Sequence, residues 1–565
     1  MENTAFEKRL KRQVIGKPHR FLAFAPLGFE QTLADELEFI RQETIDDSKN
    51  VILEPVILER SDRKAIESTS EKVHEQDLNR PHIVADGKVE FTAKITEAWK
   101  YIAYNRIANR IMMHIADFHA ENFRELEKKA AEIPWELYLD ERRKTIDKSD
   151  LSSNSELGTS NSLSIHVTCK HSRLYHSDAI AERLYKVING GSLPLAPAPM
   201  TPVTLEPVIL ERSDRKAIGA IGASATLSAG TPRNAPQNLY VNILDDRCTI
   251  WLDLSGEELY KRGHERFVND APLKETIAAA MLFEVSALVA APGVYPELAE
   301  WAQDAITSTT SPSHIPHSTL HITLFDPMAG SGTFSLEAAY IANGLIPGKC
   351  RDFALKHQPA FKEATWRHIL SSSEAPTMCH PERRNEVTQT KDPDKNPEPF
   401  ARILTSDISE RAVEIIRHNV DNGPLATFST SAENKPRTSI TLDPQLRDFF
   451  TYTAKEIADA CPANAQPAIL LNPPYGKRLD FNAPKLYTQI GRKLAELSRE
   501  LHTLGKTLTV GILAPKDDTR NGAKYTCTAN LLRECPSLDP SHNPHAKRIE
   551  TSHGGLALNV FFSFF

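Results

Sequence analysis

The chain of 565 residues lacks the features that mark several protein classes. Its seven cysteines are scattered without a C-x-x-C pair, which favours a reducing compartment over a disulfide scaffold and speaks against a structural zinc site. The 67 basic residues are outnumbered by 74 acidic residues, so the net charge of −7 provides no global positive field for a nucleic acid. Any nucleic-acid surface must therefore be local.

Long hydrophobic runs are also missing. The longest apolar stretch, 277–294, is interrupted by Glu284 and Ser286, so it predicts a buried helix rather than a membrane span. The basic N-terminus, with Lys8 and Arg12, does not lead into the apolar region of a signal peptide. We therefore expect a cytoplasmic protein without a membrane partner.

Glycine is scarce, with 24 glycines against 37 prolines, and this balance predicts Pro-containing loops inserted between folded elements. The word LEPVILERSDRKAI occurs identically at 53–66 and 205–218. We expect a copied element in two tolerant surface loops, and the alternative is a paired interaction motif. At roughly 150 residues per domain, the length suggests about three to four domains.

The hydrophobic periodicity divides the chain into an α+β half and an α/β half. The first half predicts the following elements: helical spacing in 97–130, a strand at Leu163–Cys169, a helix at Ser177–Ile188, and two strands in Tyr240–Leu252 that turn at Asp245 and Asp246. The second half predicts four short strands, with helices after the first three: His321–Phe325, Arg402–Ser406, Ala468–Leu471 and Thr507–Leu513. A doubly wound sheet of this kind binds ligands at the carboxyl ends of its strands.

A glycine turn follows the first of these strands, in the stretch DPMAGSGT from Asp326 to Thr333. Gly330 and Gly332 permit a sharp turn into a helix, whose N-terminal N–H groups can bind a ligand. The dinucleotide fingerprint fails because Ser335 occupies its third glycine position, and the Walker A lysine is absent, so neither NAD nor ATP is favoured.

Two further strand ends carry polar residues. Asp407 ends the second strand, where a carboxylate can accept the ribose hydroxyls of a nucleoside cofactor, although it could instead be a helix-capping acid. The third strand runs into Asn472-Pro473-Pro474-Tyr475. The Asn472 and Pro473 oxygens can accept both N–H bonds of an exocyclic, aniline-like amine while Tyr475 stacks on its base. This arrangement predicts methyl transfer to such an amine from an activated sulfonium, without a metal.

These motifs and the sequence around them resemble the bacterial THUMP-containing ribosomal RNA guanine-N2 methyltransferases of the large-subunit type. The resemblance extends over roughly residues 20–565, apart from the insertions. It rests on the following stretches: DPMAGSGT, LNPPYGKRL, LEAAYIANGLIPGKCRDFA, KRGHERFVNDAPLKETIAAAML, SRLYHSDAIAERL, AEIPWELYL and FLAFAPLGFEQTLADEL.

The resemblance implies an α/β Rossmann-like methyltransferase domain preceded by an α+β ferredoxin-like and THUMP region. The implied units are a ferredoxin-like segment at 1–90 with a loop near 50–88, a THUMP-like region at 91–258 with loops near 141–162 and 193–237, and a methyltransferase domain at 265–565 with insertions near 284–318 and 371–400.

The resemblance also implies S-adenosylmethionine as cofactor and N2-methylguanine in 23S ribosomal RNA as product. It assigns the methionine part of the cofactor to the glycine turn, the ribose to Asp407 and the adenine edge to Asp448 and Phe449. The turn residues concerned are Asp326, Met328, Gly330, Ser331, Gly332 and Thr333. The target guanine would contact Asn472, Pro473, Pro474 and Tyr475.

We expect a monomer that captures structured RNA, in the form of the 23S precursor, through scattered basic side chains: Arg106, Arg110, Arg173, Arg183 and Arg262. His314, His317 and His321 have metal-like spacing, but the first two fall in a Ser/Pro loop, and we expect no metal. The alternatives are a transfer RNA guanine-N2 methyltransferase, a DNA adenine-N6 methyltransferase and an inert RNA-binding protein. Which guanine is modified is left open.

Overall fold

The computed structural model describes these parts of the chain: residues 2–50, 80–140, 163–190, 225–227, 237–269, 272–290, 321–371, 400–426, 440–475, 482–517 and 526–565. Both copies of the repeated word, His314, His317 and the loops predicted at 141–162 and 193–237 lie wholly or mostly outside them. So does nearly all of the insertion predicted at 371–400.

The N-terminal half is built on a seven-stranded sheet in the order β2-β3-β1-β4-β8-β7-β5. Its strands are Pro18–Phe24 (β1), His82–Ala85 (β2), Lys88–Lys94 (β3), Arg110–His119 (β4), Leu163–Lys170 (β5), Gln237–Leu244 (β7) and Arg247–Asp253 (β8). Its helices are Glu2–Leu10 (α1), Glu30–Asn50 (α2), Ile95–Tyr104 (α3), Phe123–Ala131 (α4) and Ser177–Ile188 (α5). A separate short pairing joins Ala225–Leu227 (β6) to Arg266–Val268 (β9).

Most of the predicted elements of this half are confirmed, including the turn at Asp245 and Asp246, whose φ angles are 50° and 61°. The helix predicted across 97–130 is confirmed at Ile95–Tyr104 and Phe123–Ala131 but is wrong between them, because Arg110–His119 forms β4 between β1 and β8. Pairing with two neighbours buries Ile111 and Met113. Tertiary pairing therefore overrides the helical spacing. The boundary predicted at residue 90 falls inside β3, and the two predicted N-terminal units share one sheet.

The C-terminal half is a Rossmann-like domain around a second seven-stranded sheet, in the order β12-β11-β10-β13-β14-β16-β15. Its strands are His321–Asp326 (β10), Phe400–Asp407 (β11), Gln445–Leu446 (β12), Ala465–Leu471 (β13), Thr509–Pro515 (β14), Lys547–His553 (β15) and Leu556–Phe564 (β16). Its helices are Glu275–Ala290 (α6), Thr333–Ala342 (α7), Glu363–Ser371 (α8), Glu410–Asn422 (α9), Ala454–Ala460 (α10), Ala483–Thr503 (α11) and Cys527–Glu534 (α12).

The first five strands in sequence, β10 to β14, run parallel, and β16 and β15 are added antiparallel at one side. All four predicted strands are confirmed. Helix α6 continues to Ala290, so an insertion beginning at 284 is wrong by several residues. Strand β2 likewise lies inside the loop predicted at 50–88. Among the described helices, none is long and apolar enough to span a bilayer.

The two halves pack together through one hydrophobic core and a buried ionic cluster. The core contains residues of both sheets and the helices between them, such as Trp99 and Leu324. In the cluster, the Glu337 carboxylate accepts hydrogen bonds from Arg262 Nε at 3.0 Å and Nη2 at 3.2 Å. Arg106 Nη1 lies 3.6 Å from Glu337 Oε2. The N-terminal half is therefore fixed directly to helix α7, which begins at the glycine turn.

Candidate active site

The order of the parallel strands brings the predicted site residues to one edge of the sheet. Strands β12, β11, β10 and β13 are consecutive neighbours. Asp448 follows β12, Asp407 ends β11, Asp326 ends β10 and Asn472 follows β13. Because carboxyl ends of parallel strands meet at the same edge, residues distant in sequence face one crevice, as predicted for a doubly wound sheet.

The glycine turn adopts the backbone conformation that its sequence predicts. Gly330 and Gly332 have φ angles of 56° and 73°, in the left-handed region that favours glycine. A side chain at Gly332 would also approach Ile416 to 2.9 Å. The Gly330 N–H donates to Asp407 Oδ2 at 2.8 Å, and the Ser409 N–H donates to Asp407 Oδ1 at 2.8 Å. Asp407 thus supports the turn as well as lying at the strand end.

Asp326 has one satisfied oxygen and one free oxygen. Its Oδ2 accepts from the Ser335 backbone at 3.2 Å and from the Ser335 hydroxyl at 2.7 Å, and the Thr405 hydroxyl in turn donates to Ser335 Oγ at 2.7 Å. Its buried Oδ1 has no hydrogen-bond partner within the described chain. Burial raises the pKa of Asp326 to about 7, against the opposing effect of the Ser335 hydrogen bonds. A buried acceptor of this kind costs free energy unless a ligand donates to it.

The other side chains of the turn face inward. The Ser331 hydroxyl accepts from the Asn269 N–H at 2.8 Å, and the Thr333 hydroxyl accepts from Arg266 Nη2 at 2.7 Å. Met328 is half-buried against the core beneath the site. These three side chains support the turn, so the backbone and Asp326 are what the turn offers a ligand.

The two residues assigned to the adenine edge, Asp448 and Phe449, differ in their exposure. Asp448 is half-buried, and its Oδ1 accepts from the Phe450 N–H at 3.0 Å. The Phe449 side chain is 2% exposed and belongs to the core. Of these two side chains, Asp448 is therefore the one that can face a ligand at this strand end.

The Asn472 segment presents an open acceptor. Asn472 Oδ1 is buried and lacks a hydrogen-bond partner among the residues that the structure describes. Pro473 and Pro474 have no backbone N–H. Neither residue can therefore donate a hydrogen bond to Asn472 Oδ1 in place of a substrate amine. The Tyr475 hydroxyl lies 3.2 Å from His553 Nδ1, and burial raises the pKa of Tyr475, which keeps the phenol neutral. Such a segment can accept hydrogen bonds from a neutral amine.

Two residues of this edge escaped the sequence interpretation. Ile408 directly follows Asp407 and is 71% exposed, which provides an apolar surface for a flat ring. The sequence feature that could have identified Ile408 is an apolar residue immediately after the acidic residue at a strand end. His553 reaches Tyr475 from the turn of the β15–β16 hairpin, and no local pattern in the sequence links the two residues.

The arginines predicted to contact RNA differ in position. Arg106 and Arg262 are buried in the Glu337 cluster, so an RNA contact through either guanidinium is not available in this structure. Arg110 is half-buried and pairs with Asp253. Arg173 and Arg183 lie on the surface, with side chains 66% and 43% exposed, in ion pairs with Glu121 and Glu127.

The C-terminal half has a Rossmann-like fold, and part of it matches a methyltransferase domain family. Residues 318–434 match the RMKL-like methyltransferase domain family. The curated relatives include the ribosomal RNA large subunit methyltransferases K/L of Psychromonas ingrahamii and Allochromatium vinosum. The first is 23% identical over 411 residues, which cover 72% of this chain and 40% of the relative. The second is 23% identical over 486 residues, which cover 84% of this chain and 51% of the relative. The chain thus spans about half the length of these relatives or less.

Solved structures share the fold. SMU.472, a methyltransferase candidate crystallised with SAH, is 19% identical with a TM-score of 0.50, and the match covers 97% of this chain and 98% of that one. A predicted N6-adenine-specific DNA methylase from Listeria monocytogenes is 17% identical with a TM-score of 0.52, and the match covers 96% of both chains.

Proposed function

We propose that the protein is an S-adenosylmethionine-dependent methyltransferase that modifies the exocyclic N2 amine of a guanine in 23S ribosomal RNA. The observation that carries this proposal is the buried Oδ1 of Asn472, which has no hydrogen-bond partner among the described residues and lies at the strand end next to the glycine turn. The names of the curated relatives support ribosomal RNA as the substrate. We place the enzyme in the cytoplasm as a monomer, in line with the sequence expectations.

The strand ends fit the proposed cofactor. Asp326 Oδ1, which has no hydrogen-bond partner within the described parts of the chain, can accept a hydrogen bond from the ammonium of its methionine part. Asp407 retains lone pairs for the ribose hydroxyls while it holds Gly330, and Ile408 offers an apolar surface for the adenine ring. When bound, the sulfonium supplies an activated methyl group, and no metal ion is needed.

The chain's own residues would orient the substrate amine. Asn472 Oδ1 and the Pro473 carbonyl accept the two N–H bonds and aim the nitrogen lone pair at the methyl carbon. The bound cofactor would supply the methyl group to this nitrogen, and the proton that the amine gives up on methylation would pass to solvent. The guanine must leave its stack to reach Asn472, and Tyr475 offers a ring against which it can stack.

The N-terminal α+β half would capture the RNA, with 91–258 acting as a THUMP-like region. Arg173 and Arg183 are the predicted contacts that lie at the surface, and their exposed ion pairs contribute little stability, so phosphates can replace the carboxylates. The Arg183 guanidinium also lies over the Phe123 ring at 4.3 Å, which holds it on helix α4.

Replacing Arg173 and Arg183 together with alanine should weaken RNA binding without changing turnover at saturating RNA. The slope of log affinity against log salt should become shallower by about one to two. Filter binding across a salt series measures this slope. Arg367→Ala is the matched control, because Arg367 is an exposed, ion-paired arginine on α8. An unchanged slope in the double variant would remove these arginines from the RNA surface.

Asp407→Ala should weaken cofactor binding by about tenfold or more, because it removes the ribose acceptor and the partner of the Gly330 N–H. Titration calorimetry with S-adenosylmethionine measures the affinity. Glu410→Ala, in the first turn of α9 three residues later, is the control and should bind normally. Equal affinities for both variants would exclude Asp407 from the cofactor site.

The substrate is tested by supplying methyl-labelled S-adenosylmethionine with 23S ribosomal RNA, transfer RNA or DNA. Label in 23S RNA supports the proposal. Label confined to transfer RNA or to DNA adenine would support one of the other methyltransferase assignments. Cofactor binding without transfer to any of them would indicate an inert RNA-binding protein.

A further inference from the structure

The turn of the β15–β16 hairpin places a histidine at the proposed active site. Strand β16 runs antiparallel to β14, with Leu558 opposite Pro515 at the carboxyl end of β14. The turn before β16 therefore returns to the edge of the sheet that carries Asn472. His553 is the last residue of β15, and Gly554 and Gly555 complete the turn with positive φ angles of 58° and 76°.

His553 is held between two partners. Its Nδ1 lies 3.2 Å from the Tyr475 hydroxyl, and the Pro272 carbonyl is a hydrogen-bond acceptor for the ring. Burial, followed by the nearby Lys274 charge, lowers the pKa of His553, so the ring is neutral near pH 7. A neutral imidazole has one N–H, and a carbonyl can only accept. With that N–H on Nε2, Nδ1 is left to accept from the Tyr475 hydroxyl.

We propose that His553 is a positioning residue that fixes the Tyr475 ring for the target base by accepting a hydrogen bond from the Tyr475 hydroxyl. The inference rests on the proposed function, since it assigns a partner to the residue that would stack on the guanine. Tyr475 follows two prolines at the end of β13, and the hydroxyl bond ties the far end of its ring to a second, antiparallel element. The ring is thus held at both ends before the base arrives.

This hydrogen bond also occupies the Tyr475 hydroxyl. Its proton is directed to His553, so the ring face is left for stacking and the Asn472 segment remains the acceptor for the amine. A hydrogen bond that only stabilised the hairpin would not influence the target base. Measuring both turnover and protein stability therefore distinguishes a positioning role from a purely structural one.

The kinetic test compares His553→Leu, which removes the acceptor, with His553→Asn, whose Oδ1 can take the place of Nδ1. His553→Leu should lower turnover about three- to tenfold, the range for loss of one neutral hydrogen bond, with normal S-adenosylmethionine affinity. His553→Asn should restore turnover to within about twofold of the parent. Leu556→Ala is the control, because Leu556 is exposed in the same turn, and it should leave turnover unchanged.

A double-mutant cycle assigns the effect to Tyr475. Tyr475→Phe should resemble His553→Leu, and the two together should cost no more than either alone, because they break one bond. Additive losses, or unchanged turnover in His553→Leu, would overturn the positioning role. If His553→Leu instead lowers turnover and His553→Asn fails to restore it, the effect does not arise from the acceptor, and the inference is also overturned.

A second readout does not depend on activity. Nitrogen NMR of the full chain labelled at histidine, with the His553 signals assigned by His553→Asn, should show an accepting Nδ1 that shifts on Tyr475→Phe. A protonated Nδ1 would contradict the inference whether or not the protein methylates RNA. The expected NMR signal in a protein that transfers no methyl group would uphold the bond and overturn the proposed function alone.

Discussion

Asn472→Ala should lower turnover by about a hundredfold or more while the affinities for S-adenosylmethionine and RNA stay near those of the parent. Asn472 Oδ1 makes no hydrogen bond within the described protein, so removing this oxygen breaks no hydrogen bond to a described residue. What is lost is the acceptor that orients the amine, an interaction that matters most as the new bond forms. Single-turnover methylation with saturating RNA and cofactor measures the chemical step directly.

Asn472→Asp provides a graded comparison, because it keeps an oxygen at the same position and should retain more activity than Asn472→Ala. Asn242→Ala is the control for the substitution itself, since Asn242 is exposed on β7, away from the proposed site. An active Asn472→Ala enzyme, or one that loses activity only through weaker binding, would show that Asn472 does not act on the amine.

Glu337→Gln should lower the free energy of unfolding by about 3–5 kcal/mol, the range for breaking a buried ion pair on one side. Glu337 is buried and is the carboxylate that both Arg262 and Arg106 face. Without its charge, two buried guanidinium groups are left with a neutral amide between them. Because the cluster joins the two halves of the chain, both sheets should be affected together.

Chemical denaturation followed by tryptophan fluorescence measures this loss. Glu363→Gln is the matched control, because Glu363 forms an exposed pair with Arg367 and should cost less than about 1 kcal/mol. Equal stabilities for the two variants would show that the Glu337 cluster does not hold the halves together. The same cluster means that removing the N-terminal half would expose a shared core, so point variants are the cleaner way to separate capture from chemistry.

Four strands of the methyltransferase domain could be predicted from sequence because each is a short apolar run, and three of them end at or run into a polar residue. The glycine turn at Gly330 and Gly332 and the strand ends at Asp407 and Asn472 were local signals of the same kind. The error between Asn105 and His119 arose because helical spacing is a weaker constraint than pairing with two strands. Such pairing depends on β1 and β8, which are distant in sequence.

Side-chain environment was the part that the sequence could not provide. Arg106 and Arg262 resemble surface cations in the sequence, and only the fold reveals that both face Glu337. His553 and Tyr475 meet because the hairpin turn returns to the carboxyl edge of the sheet. Asp326 Oδ1 and Asn472 Oδ1 have no hydrogen-bond partner among the described residues, and this becomes visible only once the fold places the neighbouring donors.

The most direct test of the central claim is nucleoside analysis of 23S ribosomal RNA after incubation with the full chain and methyl-labelled S-adenosylmethionine. The RNA should come from cells that lack the enzyme, so that the target amine is unmodified. We expect labelled N2-methylguanosine with the parent protein and at least about a hundredfold less with Asn472→Ala. Label on another atom or base, or equal label with Asn472→Ala, would contradict the central claim.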